Sequence, residues 1–252
     1  MARMCVFCLS DAVEIGGEHI WDAWLNDALP EMLYRAVERP TLDSPAIEYD
    51  ANRFKMKLPV VCRACNNEWM SALSLKIKDR FSRSMLDGEP FSLGTKDGVI
   101  LAAFVFMKAA LMNQSLPGAF FTRDARERFR TDLILPPFVQ CWFTAYEGAA
   151  RMHTRSQSHI FSPNPGTRLY GLQFFCFNYI VGKLALQLLA VRWKNIPGAR
   201  SALIMLDAPK NWNLAAPRFW PDPGIFVSWP PPECVGDNMI ELFVQRFGAF
   251  PY

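Results

Sequence analysis

Four of the seven cysteines form two Cys-x-x-Cys pairs, Cys5-Val6-Phe7-Cys8 and Cys62-Arg63-Ala64-Cys65. Each short turn aims two thiolates at one point, and two such turns supply the four sulfurs of a tetrahedral zinc site. The pairs are far apart in the chain, so a shared ion would tie two distant segments together. A closed four-sulfur set leaves no open coordination position. The expected role is therefore structural, with a contribution on the order of 10 kcal/mol to folding. Coincidental pairs and redox-active thiols are the competing readings. A redox Cys-x-x-Cys, however, normally occurs once per site and opens a helix after a strand. Cys141, Cys176 and Cys234 stand singly among apolar or aromatic neighbours and read as core residues.

Between the pairs, behind Gly16-Gly17, lies Glu18-His19-Ile20; directly after Cys65 come Asn66 and Asn67. A histidine with a near-neutral pKa can take a proton from water, and carboxylate or amide oxygens suit a hard cation. The elements that must position these groups follow from the apolar spacing. Trp21, Trp24, Leu25, Ala28 and Leu29 predict a helix, residues 38–50 a loop, and 53–61 a strand running into the second cysteine pair. Trp69, Leu73, Ile77 and Phe81 put one apolar face on a helix over 66–85.

Residues 88–98 read as a linker and 99–112 as a buried helix in which Lys108 is the single residue that is not apolar. Thr122 is the expected N-cap of a short polar helix. Strands are expected at 139–146, 150–154, 159–161, 169–180 and 184–192, the last two joined by a Gly182-Lys183 turn, with a helix over 183–191 as the competing reading. A terminal helix is expected over 238–247. The pattern is that of an α+β chain: a small metal-stapled domain over 1–87, then a larger domain of antiparallel sheet plus helices over 88–252.

The chain has 252 residues, of which 51% are hydrophobic and 20% charged, which excludes disordered, collagen-like and coiled-coil classes. Its net charge of +3 argues little, but the charge is unevenly distributed. Eight basic residues against two acidic ones lie between Arg53 and Arg83, whereas residues 1–50 hold three basic and ten acidic. Local basic segments suit a polyanion, although solvated surface is the commoner reason for them. No run of eighteen apolar residues occurs and the first residues lack an apolar leader. The expectation is a cytoplasmic chain with reduced thiols and no membrane.

Taken together, Cys5-x-x-Cys8, Glu18-His19-Ile20, Trp24-Leu25 and Cys62-x-x-Cys65-Asn66-Asn67-x-Trp69-Met70 resemble the zinc-stapled branch of the HNH (ββα-metal) endonucleases. The resemblance covers the first third of the chain. It implies that His19 is the general base activating water against a phosphodiester. It also implies that Glu18 and Asn66 hold a divalent cation, Mg2+ or Mn2+, and that Lys55, Lys57 and Arg63 hold the nucleic-acid backbone, DNA ahead of RNA. Two positions depart from the family pattern: Asp22 stands where many members carry proline, and Lys57 stands where a middle asparagine is usual.

The competing function is a zinc-stapled binding module, without turnover, for nucleic acid or a protein partner. In that case Glu18 only orients His19 or caps the next helix, and Asn66 and Asn67 are helix-start residues. Trp21, Trp24 and Trp69 read as packing, and His153 and His159 as surface or packing residues of the sheet. In a third reading the apolar helix and aromatic strands of 88–252 hold a small ligand or a second copy of the chain in a homo-oligomer.

Overall fold

The computed structural model describes residues 4–10, 14–29, 33–38, 47–52, 57–114, 120–148, 152–160, 172–193, 212, 214–221, 224 and 226–245. The fold is α+β, with helices and antiparallel sheets. The chain divides into two compact units. The first contains Met1–Asp79 and Met107–Ile134; the second contains Arg80–Phe106 and Leu135–Tyr252.

In the first unit β1 (Ile15–His19) pairs antiparallel with β4 (Lys57–Cys62), Ile15 opposite Cys62 and His19 opposite Lys57. The register shifts between Gly16 and Glu18. Gly17 sits at that irregularity, where a Cβ would come within 2.9 Å of the Lys57 Cβ. The absence of a side chain thus lets the two strands close at the bulge. The short helix α1 (Trp24–Ala28) follows β1, and Leu25 and Leu29 are buried behind it. A second pair, β2 (Leu33–Glu38) with β3 (Ile47–Asn52), lies partly in the stretch expected to be a loop.

β4 runs directly into helical structure: α2 (Arg63–Cys65), one π-helical turn over Asn66–Met70, and α3 (Ser71–Asp87). The π turn is defined by the Ser71 N–H donating to the Asn66 carbonyl, five residues back. On α3 Leu73, Ile77, Phe81 and Met85 are buried, the face that the four-residue apolar spacing predicts. β1 and β4 thus form a strand pair that leads into the helix, with α1, β2 and β3 between the two strands in the chain.

β5 (Phe91–Leu93) and the first turn of α4 (Thr95–Asn113) replace the expected linker. Every residue of α4 from Leu101 to Leu111 is buried, so apart from Lys108 this stretch is apolar all round because it is enclosed all round. Among the described residues no helix is long and apolar enough to cross a membrane. α5 (Arg123–Asp132) starts as expected, with the Thr122 hydroxyl accepting from the Ala125 N–H at 3.2 Å. Phe129 of α5 belongs to the core of the first unit, as do Phe120 and Phe121.

The second unit is built on a five-stranded antiparallel sheet in the order β10-β6-β9-β8-β7. Its strands are β6 (Val139–Ala145), β7 (Met152–Ile160), β8 (Leu172–Val181), β9 (Leu184–Trp193) and β10 (Arg218–Trp220). β7 is one strand rather than two, and β9 is not a helix. Buried side chains run continuously along β6, β8 and most of β9, so both faces of these strands are covered and their sequences do not alternate. Gly182, at φ 55, makes the β8–β9 turn.

β11 (Val227–Trp229) pairs with β5, and the Phe91 and Trp229 rings stack with centroids 5.4 Å apart. α6 (Asp237–Gln245) closes the described chain, burying Phe243 in a cluster with Tyr146, Val235 and Trp212. Cys141 and Cys176 are core residues, whereas Cys234 is only half-buried.

Candidate functional site

The first cysteine pair forms a tight turn. The Leu9 N–H donates to the Cys5 carbonyl and Leu9 adopts φ 61, a left-handed conformation that reverses the chain after Cys8. The Val6 N–H donates to the Val60 carbonyl on β4 at 2.8 Å, docking the turn beside the second pair. Phe7, between the two cysteines, is fully enclosed and packs edge-on against Trp69 with centroids 4.9 Å apart. Trp69 in turn meets Phe129 at 5.6 Å, so the turn is anchored by its own apolar residue.

All four sulfurs, of Cys5, Cys8, Cys62 and Cys65, lie within 4.8 Å of one another. Cys8 Sγ and Cys62 Sγ are 3.6 Å apart. Zn–S bonds of about 2.3 Å in a tetrahedron place the sulfurs about 3.8 Å apart, so the set can bind a metal such as zinc. Two backbone N–H groups are already aimed at sulfur: Cys62 N donates to Cys5 Sγ at 3.3 Å, and Cys65 N to Cys62 Sγ at 3.4 Å. The second bond is also the N-cap of α2. Such donors stabilise thiolate charge and orient the ligands.

The thiols already behave as a cluster. Donation from the Cys65 thiol lowers the Cys5 pKa to about 4 against the opposing effect of burial. The same bond, followed by burial, raises Cys65, while the neighbouring Trp69 indole works the other way. Burial raises Cys8. A thiolate thus forms readily within the set, which a bound cation would extend to the other sulfurs.

The second cluster, also in the first unit, gathers around Glu18-His19. Lys108, on the apolar helix α4, has a side chain with no exposure at all. Its Nζ lies 2.8 Å from Asp22 Oδ1 and 3.3 Å from Glu18 Oε1, and it donates to the His19 carbonyl at 3.0 Å. The Glu18 and Asp22 side chains are 9% and 5% exposed. Asp22 Oδ1 accepts a further bond from Ser74 Oγ on α3 at 3.0 Å.

Burial alone would depress the lysine pKa; Asp22 and then Glu18 overcome it, so the net direction is upward and the ammonium is charged. Burial raises the Glu18 carboxyl, Lys108 opposing and Asp22 adding to the rise. His19 is half-buried, and burial, followed by the charges of Lys57 and Lys108, holds its imidazole below the ordinary value. The ring is therefore neutral at pH 7, the form that accepts a proton.

Lys57 stands opposite His19 on β4 and so shares its face of the strand pair. Asn66 is half-buried in the first position of the π turn, one residue after Cys65. Among the described residues no hydrogen bond joins Asn66 to Glu18 or His19. Arg63 is exposed and paired with Glu14 Oε1 at 2.9 Å, and Lys55 lies outside the described residues. His153 and His159 fall on β7, opposite Ile180 and Phe174.

The residues that spacing alone did not bring to this site are Lys108 and Asp22. Their signal was a single cation in an otherwise apolar helix, and an acid three residues after His19.

Fold and site together define an α+β chain with four clustered cysteines that could bind a metal and, separately, a buried carboxylate–ammonium cluster at Glu18, Asp22 and Lys108 that also holds the His19 carbonyl. Compared with known proteins, the chain matches no family model, no curated protein and no solved structure.

Proposed function

We propose that this protein is a zinc-stapled, HNH-like nuclease that hydrolyses phosphodiester bonds of DNA, with His19 as general base. The observation carrying this reading is the place of His19: a half-buried imidazole at the end of β1, opposite Lys57 in the β1–β4 register, with burial lowering its pKa. A neutral imidazole can take the proton of an attacking water, while Lys57 can hold a phosphate oxygen on the same face. In this reading Cys5, Cys8, Cys62 and Cys65 hold a structural zinc that fixes β4 and the following helix relative to the first turn.

The resemblance also calls for Mg2+ or Mn2+ between Glu18 and Asn66. The residues present do not fit that ion at Glu18, whose carboxylate is enclosed against the Lys108 ammonium. Asn66 alone offers an amide oxygen, so no step is assigned to a divalent ion. Exposed Arg63 is suited to the backbone of nucleic acid only when released from Glu14.

A second reading, a binding module without turnover, draws support from that occupied Glu18. The two diverge in one assay. Zinc-loaded protein is incubated with supercoiled plasmid and single-stranded DNA, with and without divalent ions, beside His19→Ala. Nicking lost in His19→Ala with the fold retained supports the nuclease. Salt-sensitive binding without cleavage, indifferent to His19→Ala, supports the module.

A further inference from the structure

We propose that Lys108 is the resident cation of the Glu18–His19 segment and the positioning residue for His19, so that Glu18 holds an ammonium instead of a divalent ion. Only the catalytic consequence rests on the nuclease reading; the charge assignment stands apart from it.

A lysine enclosed in an apolar helix is strongly unfavourable unless its charge and its donors are satisfied. Here the satisfaction is specific. An ammonium offers three N–H donors, and Asp22 Oδ1, Glu18 Oε1 and the His19 carbonyl accept at 2.8, 3.3 and 3.0 Å. A divalent ion at Glu18 would stand beside this ammonium in a poorly screened interior, where like charges repel strongly.

The contact to the His19 carbonyl has a different consequence. His19 is the last residue of β1, where a strand end would otherwise fray. Lys108 ties that backbone position to α4, and Asp22, held also by Ser74, ties the next segment to α3. The imidazole of His19 is thereby given a fixed origin without Lys108 reaching any substrate.

Three arms on the zinc-loaded full chain test this. Mn2+ uptake, followed by the electron paramagnetic resonance of free Mn2+, is compared between wild type and Glu18→Gln, and should be the same in both. Thermal unfolding of Lys108→Met, which strands two buried carboxylates, should fall by roughly 10 °C or more. Much of that loss should return when Glu18→Leu and Asp22→Leu are added, leaving an apolar cluster.

Plasmid cleavage by this triple variant should show kcat reduced roughly ten-fold or more with KM unchanged, because His19 is misplaced rather than removed. A wild-type Mn2+ site lost in Glu18→Gln would overturn the assignment, as would an unchanged melting temperature in Lys108→Met. If the wild-type protein cleaves nothing, the nuclease reading fails, while the Mn2+ and thermal arms still decide the role of Lys108.

Discussion

Burial raises the Glu18 carboxyl even with an ammonium beside it, so ionising this group costs stability in the folded protein. The sign follows from linkage. With a folded pKa above the ordinary 4.5, its contribution is fully present below 4.5 and is lost as pH rises through the folded value. Glu18→Gln removes this dependence. Urea midpoints at about pH 4 and about pH 7 should therefore show the variant gaining on wild type at the higher pH. Lys108 behaves the same way at the other end of the scale. Its raised pKa keeps the ammonium, and the stability it confers, in place below 10.5, and that stability is lost only as pH rises through the folded value. Glu18 could be read from the sequence as a functional acid but not as the partner of Lys108, because that contact spans 90 positions. Only the oddity of one cation within 99–112 hinted at it.

The cysteine turns act at the scale of elements. One sulfur, Cys62 Sγ, belongs to the four-cysteine cluster and also caps α2, so the helix start and the candidate metal site share that sulfur. Metal analysis should find one zinc per chain. Chelation should lower stability by an amount on the order of 10 kcal/mol, reported as loss of helical signal and of the Trp69 environment. Cys62→Ala should cost more than Cys8→Ala, since Cys8 has no capping role. This centre was legible because its information is local: two short spacings and four residues of one type. The helices over 71–87 and 95–113 were legible for a related reason, each being long enough for its apolar pattern to repeat. β5, β10 and β11 were not, being three residues each and too short to show a period. β3 was hidden because Pro40, Asp43, Ser44 and Pro45 made the whole of 38–50 read as loop. Arg155 to Ser158 made β7 look like two strands.

At the scale of the whole molecule, the enclosed strands β8 and β9 hold one polar pair in bonded form. Gln187 and Asn178 are register partners on β9 and β8; the Gln187 amide donates to Asn178 Oδ1 at 2.7 Å and to the Phe243 carbonyl at 2.9 Å. The β8–β9 turn is constrained as tightly. Gly182 has φ 55, a Cβ there would lie 2.0 Å from the Met85 carbonyl oxygen, and the next N–H donates to that same oxygen at 2.7 Å. Gly182→Val should therefore destabilise the protein by roughly 2–4 kcal/mol, read as a lower urea midpoint, because backbone strain and a backbone clash coincide. The sequence marks this glycine as a turn residue, but the close approach of residue 85 is visible only in the fold.

The role proposed for His19 is that of general base on a zinc-stapled scaffold. Its most direct test is plasmid nicking by zinc-loaded wild type and by His19→Ala, with both proteins shown to have the same melting temperature and zinc content. With His19 as general base, wild type nicks the plasmid and the variant loses roughly a hundred-fold or more. Equal rates in the two proteins, or no cleavage by wild type on double- or single-stranded DNA, would contradict it.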